Sequence, residues 1–357
     1  MRLKHRRSGL GRLAIALLVA GPLHAQERSS ALNDFLVRSI GLSGSQLSAL
    51  ARGEAAGKLL PTADERDIAA FGAIRIDVPR AFFVDRQRDV PRALLTPSRG
   101  EAHVFSNPAA DADVRTVDIT ADDVKELRAC RPSSCNFKLP ATDMDALRTI
   151  DLSGPNAPRD VAAYARRRIV DYVTDYRRRG NEAMVTYDDG GGVRASEAFA
   201  AMLGDSSYAF RVVPSAGRFL LQYPRDSLPG GTDVSFWAID ALPHVRRVLR
   251  IMHEVVYSPP EIPGLTLLAA KQIYADHYFE AGLEVTTAVD RAEAGAASAD
   301  SGITVVAIRR YRFDHLPGGG LLNLRGRLRD GLQSNLIADL TRLKRDSETA
   351  WRSARSR

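Results

Sequence analysis

Apolar and polar positions alternate with a period of two in two parts of the chain, near its front and over its last third. From Ile68 to Val78 every second residue is apolar or small, which predicts a half-buried strand. Pro79 suits the first turn of a helix over PRAFFVDRQRDV, and EAHVFSN at 101–107 predicts another strand. The later strands are predicted at 233–241, 245–258, 265–290 (two strands or one bent strand) and 302–314. No helix-length pattern separates them, so we expect an antiparallel sheet.

A helical period marks three other regions. Residues 31–60 predict an N-terminal helical segment, and residues 120–215 are mostly helical, with the clearest helix at 158–179. Three tyrosines on that helix are compatible with a binding groove, but aromatic side chains at helical spacing more often pack into a core. A last helix is predicted from about Asn323 to Arg345, and Asp339 lies inside its apolar arc, near the edge.

The first 25 residues have the pattern of a secretory signal peptide. A basic leader precedes an apolar run from Leu13 to Leu23, and Leu23-His24-Ala25 is an acceptable cleavage site. The apolar run is shorter than the roughly 20 residues of a membrane span, so an uncleaved anchor is the weaker alternative. We expect a periplasmic or secreted protein, and the Arg6-Arg7 pair leaves both the general and the twin-arginine export routes open.

Charge excludes one class of partner. The chain carries +7, but the leader holds five Lys/Arg and no acids, which leaves +2 after cleavage. Residues 342–357 account for a surplus of +4, so the body of the chain is near −2. A nucleic-acid-binding face needs basic charge clustered within the domain, and we therefore expect no nucleic-acid partner.

Cys130 and Cys135 are the only cysteines, and they are separated by four residues, RPSS. In an exported chain this spacing favours a structural disulfide. A metal pair is the alternative, but no histidine pair lies nearby to complete four ligands. We expect no metal and no cofactor.

The strand region 265–290 carries charges that resemble an active site. Asp276 and His277 project to opposite faces of a regular strand, which excludes them as a dyad, and the alternation predicts a sheet covered on one side only. Polar groups nevertheless fall on the apolar face, where a buried charge is costly unless it is paired or solvated. Together they predict a ligand cavity, although each alone could sit at a strand end or pair internally. The candidate ligand-binding residues are Lys271, His277, Arg309, Tyr311, His253 and Asp339.

The order of these elements resembles the START-like, or SRPBCC, helix-grip superfamily. The resemblance rests on IRIDVPRAFFVDRQRDV at 74–90 and on residues 231–345, about half of the chain. It implies an α+β fold in which an antiparallel sheet wraps a long C-terminal helix, with apolar ligands such as lipids held between them. This chain departs from the pattern by a large helical insertion. The expected division is a signal peptide at 1–25, an N-terminal helical segment at 26–65, a strand–helix–strand part at 66–115, the helical insertion at 116–230, the sheet and C-terminal helix at 231–346, and a basic tail at 347–357.

The expected function is an exported binding or carrier protein for an apolar ligand, with a lipid as the first candidate. Lys271, Arg309 and His277 would hold its head group, and the basic C-terminus could touch an anionic membrane surface. One alternative is a hydrolase or cyclase that uses His277 or Lys271 as general base, although no nucleophile–base motif is present. Another is a structural or assembly protein of the cell envelope.

Overall fold

The computed structural model describes residues 30–89, 99–240, 246–291, 302–314 and 324–356. The predicted signal peptide, 1–25, lies outside these residues. Within them the chain forms an α+β fold, in which one large antiparallel sheet packs against a long C-terminal helix. This confirms the fold class that the sequence predicts.

The large sheet has eight strands in the order β1-β2-β10-β9-β8-β7-β6-β3, and every neighbouring pair is antiparallel. The pair β4 and β5 forms a separate hairpin within the insertion. The strands are β1 Ala56–Leu60, β2 Asp67–Ile76, β3 Arg99–Val104, β4 Thr186–Tyr187, β5 Val193–Arg194, β6 Thr232–Asp240, β7 Val248–Tyr257, β8 Leu265–Ala275, β9 Phe279–Asp290 and β10 Ile303–Phe313.

Residues 30–34 are α-helical and continue into a π-helix, Phe35–Ile40, ahead of the numbered α-helices. These are α1 Gly44–Ala51, α2 Arg80–Arg88, α3 Ala121–Ala129, α4 Ala141–Leu147, α5 Ala157–Arg179, α6 Ala195–Asp205, α7 Pro214–Gln222 and α8 Leu324–Arg355. Sequence signals explain their starts: Ser43 and Thr120 form capping boxes at α1 and α3, and Pro79 precedes α2.

Helix α8 packs directly onto one face of the sheet, over β1 and β2. Gly72 lies in contact with this helix, because a Cβ built there would be 2.6 Å from Leu340 Cδ1. Gly57 has the same relation to Ile337, at 2.4 Å. A side chain at either position would push the helix away, so the two glycines set how closely helix and sheet approach.

The opposite face of the sheet is covered by the N-terminal helices and by α6 and α7 on one half, and by α5 on the other. Strand β8 is therefore buried along almost its whole length, on both faces. The prediction of a sheet covered on one side only is wrong. The alternation of residue types did not reveal the second buried face. The positions expected to face solvent hold small or uncharged polar residues, such as Thr266, Ala270 and Gln272, which can be buried.

Two predicted boundaries also need correction. Residues 56–60, expected to continue the N-terminal helix, form β1 and pair with β2, because the strand packs under α8 and this packing outweighs local helix propensity. The predicted basic tail, 347–357, continues helix α8 as far as Arg355. The Trp351 ring, which lies 4.9 Å from the Phe82 ring, attaches this last part of the helix to α2.

A buried ion cluster joins the start of β2 to the end of β10. The Asp67 carboxylate accepts hydrogen bonds from Arg310 at 2.5 Å and from Arg312 at 2.7 Å, and its side chain has no exposed surface. Arg310 also contacts Asp205 and Ser206 of the insertion. The cluster thus joins the sheet to the helices that cover it.

We expect Asp67→Ala to lower the free energy of unfolding by about 3–5 kcal/mol, because two buried guanidinium groups would lose their carboxylate. Chemical denaturation measures this change. The control is Glu54→Gln, which removes one partner of the exposed Arg52–Glu54 pair and should change stability little. Equal effects of the two variants would contradict the assigned role of Asp67.

Candidate functional site

A cavity of about 530 Å³ lies between the helical insertion and the outer half of the sheet, on the face opposite α8. Strands β6, β7 and β8 form its floor, and helices α3, α4 and α5 form its walls. Its apolar lining comes from both parts of the chain: Leu127, Phe137, Leu139, Leu147, Val161, Ala165, Ile169, Ile239, Leu249 and Ile251. Exposed Asp118 and Asp122 lie at its mouth.

A β-bulge in β8 orients side chains into this cavity. Gln272 pairs with Met252 and Tyr274 pairs with Ile251, so Ile273 is an extra residue in β8. One extra residue shifts the alternation of all residues that follow it, and bulges commonly redirect side chains in this way beside functional sites. Tyr274 and Asp276, which strict alternation assigned to the wet face, therefore line the cavity.

Two tyrosines of the insertion form hydrogen bonds with backbone groups around this bulge. The Tyr172 hydroxyl donates to the Ile273 carbonyl at 2.5 Å, and the Tyr187 hydroxyl accepts from the Ala275 N–H at 3.0 Å. Buried backbone groups without partners are costly, so these two bonds stabilise the bulge. The covering helices and the shape of the site floor are consequently coupled.

Asp276 and His277 lie in the turn between β8 and β9, where Tyr278 adopts a positive φ of 58°. His277 Nδ1 lies 3.0 Å from Asp276 Oδ1, so the expectation that the two side chains point apart is wrong: the regular strand on which it relied ends at Ala275. Burial lowers the pKa of His277, but the Asp276 carboxylate outweighs it, and the net pKa is raised. Both ring nitrogens of His277 are buried without a hydrogen-bond partner among the described residues, and the ring lies tilted against that of Phe137, with centroids 4.3 Å apart.

Two of the three arginines that line the cavity are paired with carboxylates, whereas exposed Arg247 forms no ion pair among the described residues. Arg168 binds Asp143 at 2.8 Å, and the Tyr164 hydroxyl donates to the same carboxylate. Arg246 spans Asp123 and Glu126 of α3, at 3.2 and 2.9 Å. These pairs connect the walls of the cavity to each other and to the strand that enters its floor.

Lys271 and His253 share a face of the sheet with the cavity, but neither is among the described residues that line it. The Lys271 ammonium donates to Asn181 Oδ1 at 2.6 Å and to the Leu220 carbonyl at 2.9 Å. His253 contacts the Tyr176 hydroxyl and Asp233. Burial lowers the pKa of Lys271 to about 7, and it also lowers the pKa of His253, against the opposing effect of Asp233.

The other three candidates lie on the face that carries α8. Arg309 and Asp339 form an ion pair at 2.8 Å, which explains an aspartate within the apolar arc of that helix. Tyr311 donates to Glu284 at 2.8 Å. The six predicted residues are thus divided between the two faces of the sheet, and only His277 lies at the cavity. The sequence did not show the register between strands. Arg309 pairs with Glu284 and Lys271 with Leu283, and because these neighbours in β9 point to opposite faces, Arg309 and Lys271 do so as well.

The sequence reasoning missed Tyr274, Asp143, Tyr164 and Arg168 as cavity residues. Tyr164 and Tyr172 did carry a signal, since they belong to the tyrosines of the predicted helix at 158–179. The core interpretation is correct for Tyr172 and Tyr176, although Tyr172 also lines the cavity, whereas half-buried Tyr164 lines the cavity without belonging to the buried core. Helical spacing alone could not separate these two environments.

Cys130 and Cys135 form the predicted disulfide, which precedes Phe137 at the cavity wall. Among the helices that the structure describes, none is long and apolar enough to cross a membrane. The fold and the cavity define an α+β protein with a ligand-sized space under a helical insertion. No known family model matches the chain, and a search of curated proteins finds no match either.

We expect Tyr187→Phe to speed hydrogen exchange of the Ala275 amide, because that N–H loses its acceptor. Exchange measured by NMR or mass spectrometry tests this. Tyr274→Phe is a matched control, since the Tyr274 hydroxyl makes no hydrogen bond among the described residues and its removal should leave the Ala275 amide protected. Unchanged exchange in Tyr187→Phe would contradict the role assigned to this bond.

Lys271 should make stability rise with pH. The unfolded chain keeps this lysine protonated up to about pH 10, whereas the folded protein releases the proton near pH 7, so the unfolded state binds more protons between these values. From pH 7 to pH 9 the wild type should gain about 2 kcal/mol relative to Lys271→Met. Denaturation at both pH values measures the difference, and parallel pH profiles would rule the shift out.

Proposed function

We propose that the protein binds an apolar small molecule in the cavity between the sheet and the inserted helices. The observation that carries this proposal is a space of about 530 Å³ with mainly apolar walls and a few polar groups oriented by a bulge. Ligand sites typically have volumes of about 300–1,000 Å³ and this kind of lining. A lipid or another amphipathic molecule with a short apolar body is the class that such a lining accommodates.

The order of elements supports membership of the helix-grip superfamily. Strand β2, helix α2, strand β3, strands β6 to β10 and helix α8 follow one another as the resemblance requires, once residues 116–230 are taken as an insertion. β2 lies beside the last strand and β3 beside β6. The location of the ligand differs from that expectation: where α8 meets β1 and β2, side chains pack against Gly57 and Gly72, and we assign the ligand to the other face.

Binding is better supported than catalysis. The Asp276–His277 contact is an arrangement that a general base could use. However, a general base must reach its substrate, and His277 Nε2 has almost no exposed surface. The hydrolase or cyclase alternative and the envelope-assembly alternative stay predictions.

Export and membrane contact are also proposals. The Cys130–Cys135 disulfide supports an oxidising compartment, because disulfides are rare in reducing ones. Arg352 and Arg355 are exposed near the end of α8, and a basic helix end favours transient contact with an anionic surface.

We expect Ala165→Trp to weaken binding of an apolar dye by at least about tenfold, because the indole would fill the cavity from α5. The neutral dye N-phenyl-1-naphthylamine, followed by fluorescence titration, measures this. Thr174→Trp adds the same ring at an exposed position of α5 and should leave affinity unchanged.

Mass spectrometry of extracts from protein purified from its native source should find a small molecule in the wild type and in Thr174→Trp, but not in Ala165→Trp. Absence of both dye binding and a co-purifying ligand in the wild type would refute the proposed function.

A further inference from the structure

The charge of the cavity lining is strongly one-sided. Among the described residues that line it are six carboxylates, Glu101, Asp118, Asp122, Asp123, Asp143 and Asp276, and three arginines, Arg168, Arg246 and Arg247. The carboxylates outnumber the arginines by three. An anionic head group would enter this field against repulsion, whereas a cation would be attracted.

Two of the three arginines are already engaged by carboxylates; the third, Arg247, has no ion-pair partner among the described residues, but its charge is exposed to solvent and screened. Arg168 is engaged by Asp143, and Arg246 by Asp123 and Glu126. A carboxylate or phosphate could use either guanidinium only by displacing a carboxylate that already pairs with it. That exchange would leave a partly buried carboxylate without its partner, which is costly.

Asp276 offers the opposite chemistry at the floor of the cavity. Its Oδ1 accepts from the Leu249 N–H at 3.0 Å and lies 3.0 Å from His277 Nδ1. Its Oδ2 has no hydrogen-bond partner in the part of the chain that the structure describes, and the side chain is 23% exposed. Held at one oxygen and open at the other, this carboxylate is a ready acceptor for a donor on a ligand.

Aromatic rings surround this carboxylate. Tyr274 projects beside Asp276, with the ring of Tyr172 at 5.9 Å from its own, and Phe137 and His277 complete the wall. The pKa of Tyr274 is raised well above its usual range, first by burial and then by the negative fields of Asp276 and, more weakly, of Asp143. The field that opposes a phenolate stabilises a cation, and aromatic faces add a cation–π attraction.

We infer, on the basis of the proposed function, that the natural ligand is an organic cation: a protonated amine on an apolar body, with its ammonium group at Asp276 and Tyr274. The His277 ring adds a second polar group to the lining: its side chain is 5% exposed, and neither ring nitrogen has a hydrogen-bond partner among the described residues. The inserted helices thus supply the apolar walls, and the bulged strand supplies the charge.

Three probes with the same ten-carbon chain separate head-group charge from apolar binding: decylamine, decanol and decanoate. Calorimetric titration at about pH 8 keeps the amine charged, since alkyl ammonium groups titrate near the lysine value of about 10.4. We expect decylamine to bind at least about tenfold more tightly than decanol, and decanoate to bind most weakly.

Asp276→Asn keeps the oxygen that accepts from Leu249 but removes the charge, and should cost decylamine about tenfold in affinity while leaving decanol unchanged. Glu197→Gln makes the same change in net charge on the exposed side of α6, away from the cavity, and should affect none of the probes. If Asp276→Asn does not fold, the salt dependence of binding to the wild type provides the test. Raising the salt concentration should weaken the affinity for decylamine and leave the affinity for decanol unchanged.

Decanol or decanoate binding as tightly as decylamine would overturn the cation inference and leave the proposed function standing. The same holds if Asp276→Asn weakens decanol as much as decylamine. Failure of all three probes, when the neutral dye still binds, also overturns this inference alone. Failure of the dye and of the native extracts removes the proposed function itself.

Discussion

Both faces of the eight-stranded sheet are apolar, and this constraint determines the rest of the molecule. A sheet with two apolar faces must be covered on both sides, because exposed apolar area costs roughly 25 cal/mol per Å². The C-terminal helix α8 covers one face, with Leu336, Ile337 and Leu340 against the glycines of β1 and β2, and Leu328 and Asp339 extend this contact toward β10. The N-terminal helices and the insertion cover the opposite face. The insertion is therefore a structural part of the fold as well as a cover for the cavity.

On the face opposite α8, the helices do not fill the space over the outer half of the sheet. Over β8 and β9 the helices α6 and α7 pack closely enough to bury Lys271 and to satisfy it with an amide and a carbonyl oxygen. Further along, α5 contacts the sheet through Tyr172 and Tyr176, and α3 and α4 lie farther out. The bulge at Ile273 bends the floor of this half, and two tyrosine hydroxyls from the cover hold it. Cavity and bulge are in this sense one feature.

Buried charges are organised in two different ways. Asp67 with Arg310 and Arg312, and Arg309 with Asp339, are ion pairs that connect elements of the fold. Asp276 has one oxygen fixed and one facing the cavity. The residue types alone do not distinguish these cases, which is why five of the six residues selected from the sequence do not line the cavity and one, His277, does.

The period of the hydrophobic pattern, together with prolines and helix-capping residues, determined the secondary-structure elements and the fold class. The alternation in β2 and β6 to β10, the prolines before α2 and near the start of α5, and the Ser43 and Thr120 caps are local signals, and local backbone preference is enough to express them. The tertiary structure decided strand β1, the full length of α8, the second covered face and the bulge. Each depends on contacts between segments distant in the chain, such as Gly57 with Ile337 or Tyr172 with Ile273. The cavity belongs to this second group, because it is a space between elements and no single segment encodes it.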